Sequence, residues 1–137
     1  MIILDASVVV AALIDGGPRG RWAREQQRDH ELGAPAGMPA EVMGVLRRAE
    51  IAGRISSDVA AQSAADLLDL SVGYFAFAPF GPRVWDLRAS VTTLDAWYVA
   101  LAESLRVPLA TLDLRLTRAH GPQCAFSTPP VSPAEQS

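Results

Sequence analysis

The chain has no lysine: its 12 basic residues are all arginine, set against 15 aspartates and glutamates for a formal net charge of −3. That absence excludes chemistry that needs a lysine amine, namely a Walker A phosphate loop, a Schiff base, or the lysine switch of a receiver domain. There is one cysteine, Cys124. It cannot form an internal disulfide, no zinc-ligand spacing accompanies it, and a reduced, cytoplasmic setting is the natural expectation. The two histidines, His30 and His120, are far apart and read as surface residues. The longest apolar run, Ala6 to Ile14, is too short to span a bilayer. The opening MIILD has no basic n-region and reaches an acid at once, so no secretory leader is expected there. Mild acidity argues against indiscriminate nucleic-acid binding while leaving room for a local arginine-lined groove.

What is present is apolar material, half of the 137 residues, enough for the core of one domain. The stretch Thr92 to Leu116, TTLDAWYVALAESLRVPLATLDLRL, reads as helix, turn, strand, turn, helix. Asp95 opens the helix, and Leu94, Trp97, Tyr98, Leu101 and Leu105 give it an apolar stripe. Pro108 blocks further helix and begins a short buried strand to Leu112, with Asp113 just past it. Upstream, Met1 to Leu4 is a β-branched apolar run ending at Asp5, as in a buried central strand. Helices are expected over Ala6–Leu13, Arg19–His30 and Ala40–Ala52, with Glu31–Ala34 a weak strand between the last two. Ser57 is a plausible N-cap for a helix from Val59 to Leu70. Val72–Ala78 reads as a strand, Arg83–Ser90 and Leu114–Ala119 as helices, and Cys124–Ser127 as a last strand. The domain is expected over 1–127, followed by a disordered, proline-bearing tail over 128–137. Strands alternating with helices imply a parallel, three-layer α/β domain.

That topology sends acids to one place. Asp5 and Asp113 both follow apolar strands and so share the carboxyl edge, where ligands of open α/β sheets collect. Asp95 and Glu41 each lie at the start of a helix. Singly, each has a structural reading: Asp95 and Glu41 as first-turn acids answering the helix dipole, Asp113 as the cap of the next helix. Ser7 and Thr111 read as residues that bond the backbone. Together the four carboxylates, with no histidine or cysteine among them, suit Mg²⁺ or Mn²⁺, which take oxygen ligands and assist attack on a phosphodiester. Arg115 and Arg118 closely follow Asp113 and are candidates to reach a substrate phosphate. Arg19, Arg21, Arg24 and Arg28 could form a nucleic-acid-facing edge but read first as a solvated helix face, and Trp22, Trp85 and Trp97 read as core or interface residues rather than base-stacking platforms.

Three pieces, MIILDASVVVAAL, PAEVMGVLRR and TTLDAWYVALAESLRVPLATLDLRL, resemble in order and spacing the PIN-domain ribonucleases, most closely the toxin half of VapBC toxin–antitoxin pairs. The resemblance covers most of residues 1–127. It maps the family's acidic quartet onto Asp5, Glu41, Asp95 and Asp113 and its small hydroxyl residue onto Ser7; the aromatic residue often found before the third acid is here Leu94. It implies a five-stranded parallel sheet in an α/β/α sandwich, RNA cleavage dependent on Mg²⁺ or Mn²⁺, a homodimer, and a VapB-like antitoxin that blocks the site. The competing reading is a catalytically inactive PIN-like module that binds RNA or protein. A haloacid-dehalogenase-type phosphatase fails because position 7 is Ser where its second Asp should stand.

Overall fold

The computed structural model describes residues 1–131. Among them, five strands and seven α-helices alternate: β1 (Ile2–Leu4), α1 (Ala6–Ile14), α2 (Pro18–Asp29), β2 (Leu32–Pro35), α3 (Met38–Ile51), α4 (Ser57–Asp69), β3 (Gly73–Phe75), α5 (Gly81–Asp86), α6 (Thr93–Leu105), β4 (Leu109–Ala110), α7 (Leu114–Arg118) and β5 (Phe126–Ser127). The strands form one sheet in the order β3-β2-β1-β4-β5, and every neighbouring pair is parallel. This is the expected α/β/α sandwich.

The sequence explains which strand is central. Ile2, Ile3 and Leu4 are all buried, as a strand covered by helices on both faces requires. Each such side chain contributes about 1.5–3 kcal/mol on burial. Around β1 the core gathers Val8 and Val9 of α1, Met38 and Val42 of α3, and Tyr98 and Leu101 of α6. From β1 the chain first winds to one side through β2 and β3, then crosses back to place β4 on the other side. The reversal opens a crevice between the carboxyl ends of β1 and β4, the switch point where α/β folds hold ligands.

Helix α2 lies tight against the end of α1. A Cβ on Gly20 would stand 1.8 Å from the Asp15 carbonyl oxygen and 2.9 Å from that of Ala11. Glycine is therefore required there, and the contact fixes where α2 begins beside the crevice.

Several boundaries differ from expectation. The cap of α4 is Ser56, whose hydroxyl accepts from the Val59 amide at 3.1 Å; Ser57 is already helical, one residue too late to serve. Strand β3 stops at Phe75, because Phe77 leaves the sheet to meet Trp97 edge-on, ring centroids 5.1 Å apart. Helix α5 begins earlier than Arg83, with Pro82 in its first turn, and ends at Asp86. Trp85 is 67% exposed and so is not a core residue. Of the tail expected over 128–137, residues 132–137 lie outside the described residues. Thr128–Val131 line a trough with Trp22, Leu112 and Leu114. No helix among the described residues is long and apolar enough to cross a membrane.

Candidate active site

Asp5 is where strand becomes helix. Its amide donates to the Ala110 carbonyl at 3.0 Å, extending the β1–β4 pairing by one residue, and its own carbonyl accepts from Val8 at 3.0 Å in the first turn of α1. It is the N-cap of α1 by position, yet its side chain caps nothing. Two hydroxyls hold the carboxylate instead. Ser7 Oγ donates to Asp5 Oδ2 at 2.8 Å and Thr111 Oγ1 donates to the same oxygen at 2.7 Å. Each hydroxyl also accepts from the backbone beyond β4: Leu112 N to Ser7 Oγ at 3.1 Å, and Asp113 N to Thr111 Oγ1 at 3.0 Å. The two residues thus bond the backbone, as expected, and in doing so tie the ends of β1 and β4 together around one carboxylate.

The other three acids arrive by separate routes. Asp113 is the N-cap of α7, its Oδ1 accepting from the Arg115 amide at 2.9 Å. Asp95 sits in the first turn of α6, whose cap is Thr92 rather than Asp95 itself; the Asp95 amide donates to Thr92 Oγ1 at 3.3 Å. Glu41 lies in the first turn of α3. Tyr98, one turn along α6 from Asp95, donates its hydroxyl to Glu41 Oε1 at 3.0 Å. The backbone entering α3 passes close to α6 at Gly37, where a Cβ would stand 3.1 Å from Trp97 Cζ3.

All four acids line one open cavity of about 690 Å³, together with Ser7. Its apolar wall includes Val10, Ile14, Val45 and Leu112, and its rim carries Asp15 and Arg19. Asp15 is a fifth acid there, its Oδ1 accepting from the Gly17 amide at 2.7 Å. Neither Arg115 nor Arg118 lines the cavity; the Arg115 side chain is 95% exposed, its Nε 3.7 Å from Asp113 Oδ1.

Burial and proximity alter Asp5, Glu41 and Asp95 in one direction. Burial raises the Asp5 pKa above the ordinary carboxylate value; the Thr111 and Ser7 hydroxyls offset part of this, and Asp113 adds repulsion. Burial likewise raises Glu41, opposed by the Tyr98 hydroxyl and reinforced by Asp5 and Asp95. Asp95 is raised by burial first and then by the charge of Asp5. Tyr98 itself is pushed far up by burial and by the neighbouring carboxylates, so it stays a hydrogen-bond donor. Desolvation outweighs mutual repulsion at each of these three acids, but both disfavour the anions in the same way a cation would relieve. Among the described residues no group of three or more His, Cys, Asp or Glu side chains is placed so as to hold a metal ion.

Sequence reading missed two residues of this site. Tyr98 was counted only as part of an apolar stripe, although a buried phenol needs a polar partner. Arg19 was grouped with its neighbours on α2, and nothing local distinguishes it from them; its place on the rim depends on how α2 meets α1.

A parallel α/β domain with carboxylates around the crevice at its switch point defines a class, and the family model of the PIN domain matches residues 2–122. The ribonuclease VapC12 of Mycobacterium tuberculosis is 38% identical over 121 residues, covering 88% of this chain and 93% of the relative. Two solved structures share the fold. VapC20 of Mycobacterium tuberculosis, a toxin that cleaves the sarcin–ricin loop, aligns with TM-score 0.67 at 17% identity over 86% of this chain and 94% of its own. VapBC2 of Rickettsia felis, bound to a DNA fragment from its promoter, aligns with TM-score 0.63 at 14% identity over 93% and 98%. The chain belongs to the PIN-domain family and, within it, to the VapC ribonucleases.

Proposed function

We propose that this protein is a divalent-metal-dependent endoribonuclease, the toxin of a type II toxin–antitoxin pair. The observation that carries the reading is the convergence of Asp5, Glu41, Asp95 and Asp113 on one cavity. The donor set fits Mg²⁺ or Mn²⁺: it is all oxygen, and three of its carboxylates bear a desolvation cost that a cation offsets. Asp5, Asp95 and Asp113 would hold the ion directly or through water, in keeping with an ion that retains several waters. When bound, the ion lowers the pKa of water and neutralises charge on the phosphodiester.

The chain's own residues do the rest. Asp5, clamped through Oδ2 by Ser7 and Thr111, leaves Oδ1 as the oxygen that would meet a ligand. Glu41 orients the attacking water and, with its raised pKa, is suited to take the proton that water loses. The Tyr98 hydroxyl fixes the orientation of Glu41. Asp113, while capping α7, offers its second oxygen.

The cognate partner is a VapB-like antitoxin that covers the cavity, the working state is a homodimer in the cytoplasm, and the exposed Ile51, Leu68 and Trp85 support burial against other chains. Protein freed of antitoxin should cleave RNA with Mg²⁺ or Mn²⁺ and stop in chelator, and Asp5→Asn should lower the rate by about 100-fold or more. Undiminished cleavage in chelator would overturn the metal assignment. Failure to cut any RNA with metal present would favour the binding module instead.

A further inference from the structure

The acidic cavity must admit a polyanion, and four carboxylates are a poor welcome for one. Of the arginines among the described residues, Arg19 alone lines the cavity. It is exposed and makes no ion pair among the described residues. Several other arginines are engaged: Arg24 donates to the carbonyls of Ala12 and Asp15, Arg28 pairs with Asp29, Arg83 pairs with Glu103, and Arg115 pairs with Asp113. Arg19 also lines a second depression, a trough of about 500 Å³ whose wall includes Trp22, Leu112, Leu114 and Pro129. Asp15, Arg19 and Leu112 line both, so cavity and trough adjoin and Arg19 stands in the wall they share. The contact at Gly20 fixes the backbone that carries it.

We infer that Arg19 grips the RNA phosphate next to the bond being cut, and that the trough beside it receives the base of the neighbouring nucleotide. The inference rests on the ribonuclease reading and adds to it a substrate-positioning residue and a nucleotide subsite. The chemistry suits both parts. A guanidinium presents a planar fork of donors to phosphate oxygens. An aromatic and aliphatic wall accepts the face of any base, so this subsite contributes affinity more than sequence choice.

Two measurements test it. The first is cleavage of a single-stranded RNA by the full-length parent, Arg19→Ala and Arg19→Lys. The second is binding of a fluorescent single-stranded RNA with Mg²⁺, all three proteins carrying Asp5→Asn to slow cutting. Arg19→Ala should raise KM and the binding Kd about tenfold with kcat within about threefold, as loss of one charged contact predicts. The slope of log K against log salt should become shallower by about 0.7, the signature of one lost phosphate contact on a single strand. Arg19→Lys should restore the slope, which a merely structural role would not do. Leu114→Ser, at a half-exposed position, should weaken binding about threefold and leave the slope alone. If the parent cuts RNA and Arg19→Ala cuts and binds as well as it does, the inference fails while the ribonuclease reading stands. If Arg19→Ala weakens only binding of the antitoxin, Arg19 serves that protein and the inference fails. If the parent neither cuts nor binds RNA, both fail.

Discussion

Tyr98 shows how much one oxygen can decide. Its ring is core, packed with the buried side chains around β1 and α6, while its hydroxyl donates to Glu41, which lines the cavity. That bond lowers the Glu41 pKa against the larger rise from burial. In Tyr98→Phe the ring still fills its space, the opposing contribution is gone, and Glu41 should hold its proton to higher pH. If cleavage needs ionised Glu41, the acid limb of the pH–rate profile should move to higher pH in the variant, with activity at alkaline pH recovering toward the parent. Stability should fall by only about 0.5–1.5 kcal/mol, the net worth of one hydrogen bond. A profile that does not move would mean that the ionisation of Glu41 does not limit the rate.

At the scale of elements, α6 organises the molecule. Its first turn brings Asp95 to the cavity, its second brings Tyr98 to Glu41, and its far end brings Glu103 to Arg83. The last pair is bidentate, Arg83 Nε to Oε1 at 2.7 Å and a terminal nitrogen to Oε2 at 3.1 Å, with Gln123 N adding a bond to Oε2 at 2.7 Å. Burial pushes Glu103 up, but Arg83 and the Gln123 amide outweigh it and hold the carboxyl below its usual range. The Arg83 guanidinium also donates to the Gly121 carbonyl, so α5, α6 and the turn before β5 are fastened at one point. Arg83→Ala should destabilise by about 1–2 kcal/mol, discounted because the Arg83 side chain is one-third exposed. A melting temperature unchanged from the parent would show that the clasp adds nothing. None of this was legible in the sequence, where 20 residues separate the partners and no periodicity links them. By contrast, β1 and the α6–β4–α7 run were legible, because apolar runs ending in an acid and a proline-broken helix declare themselves locally. The stripe of α6 was legible only in part. Tyr98 and Leu101 are buried as expected, but Leu94 and Leu105 at its two ends are exposed, since amphipathic spacing does not say where a helix outruns its core. The same limit hid the end of β3, where a tertiary contact between Phe77 and Trp97 overrides strand propensity.

For the whole molecule, the site has a thermodynamic signature that its structural alternatives lack. Asp5, Glu41 and Asp95 all have folded-state pKa values raised above their ordinary range. A raised carboxylate binds its proton more tightly when folded, so its contribution favours folding below the unfolded pKa and is lost as pH rises through the folded value. Without metal, the protein should therefore become more stable as pH falls from about 7 through the raised values to about 4, the ordinary carboxylate range, opposite to a protein held by ion-paired acids. Glu103, whose pKa is lowered, loses its contribution as pH falls from that range toward its lowered value, beneath most of this window. Asp95→Asn removes one of the three charges while keeping shape. In chelator it should melt at or above the parent at neutral pH and gain less on acidification. Mg²⁺ should then raise the parent more than the variant and reverse their order, because only the intact set binds the ion well and binding stabilises the folded state. If Asp95 were only a first-turn acid answering the helix dipole, Asn would be neutral or destabilising at pH 7 and Mg²⁺ would leave the ranking alone. Melting curves of both proteins at the two pH values, with chelator and with Mg²⁺, distinguish the cases. A variant that melts below the parent in chelator, with no metal effect on either, would rule out the carboxylates as a shared cation site.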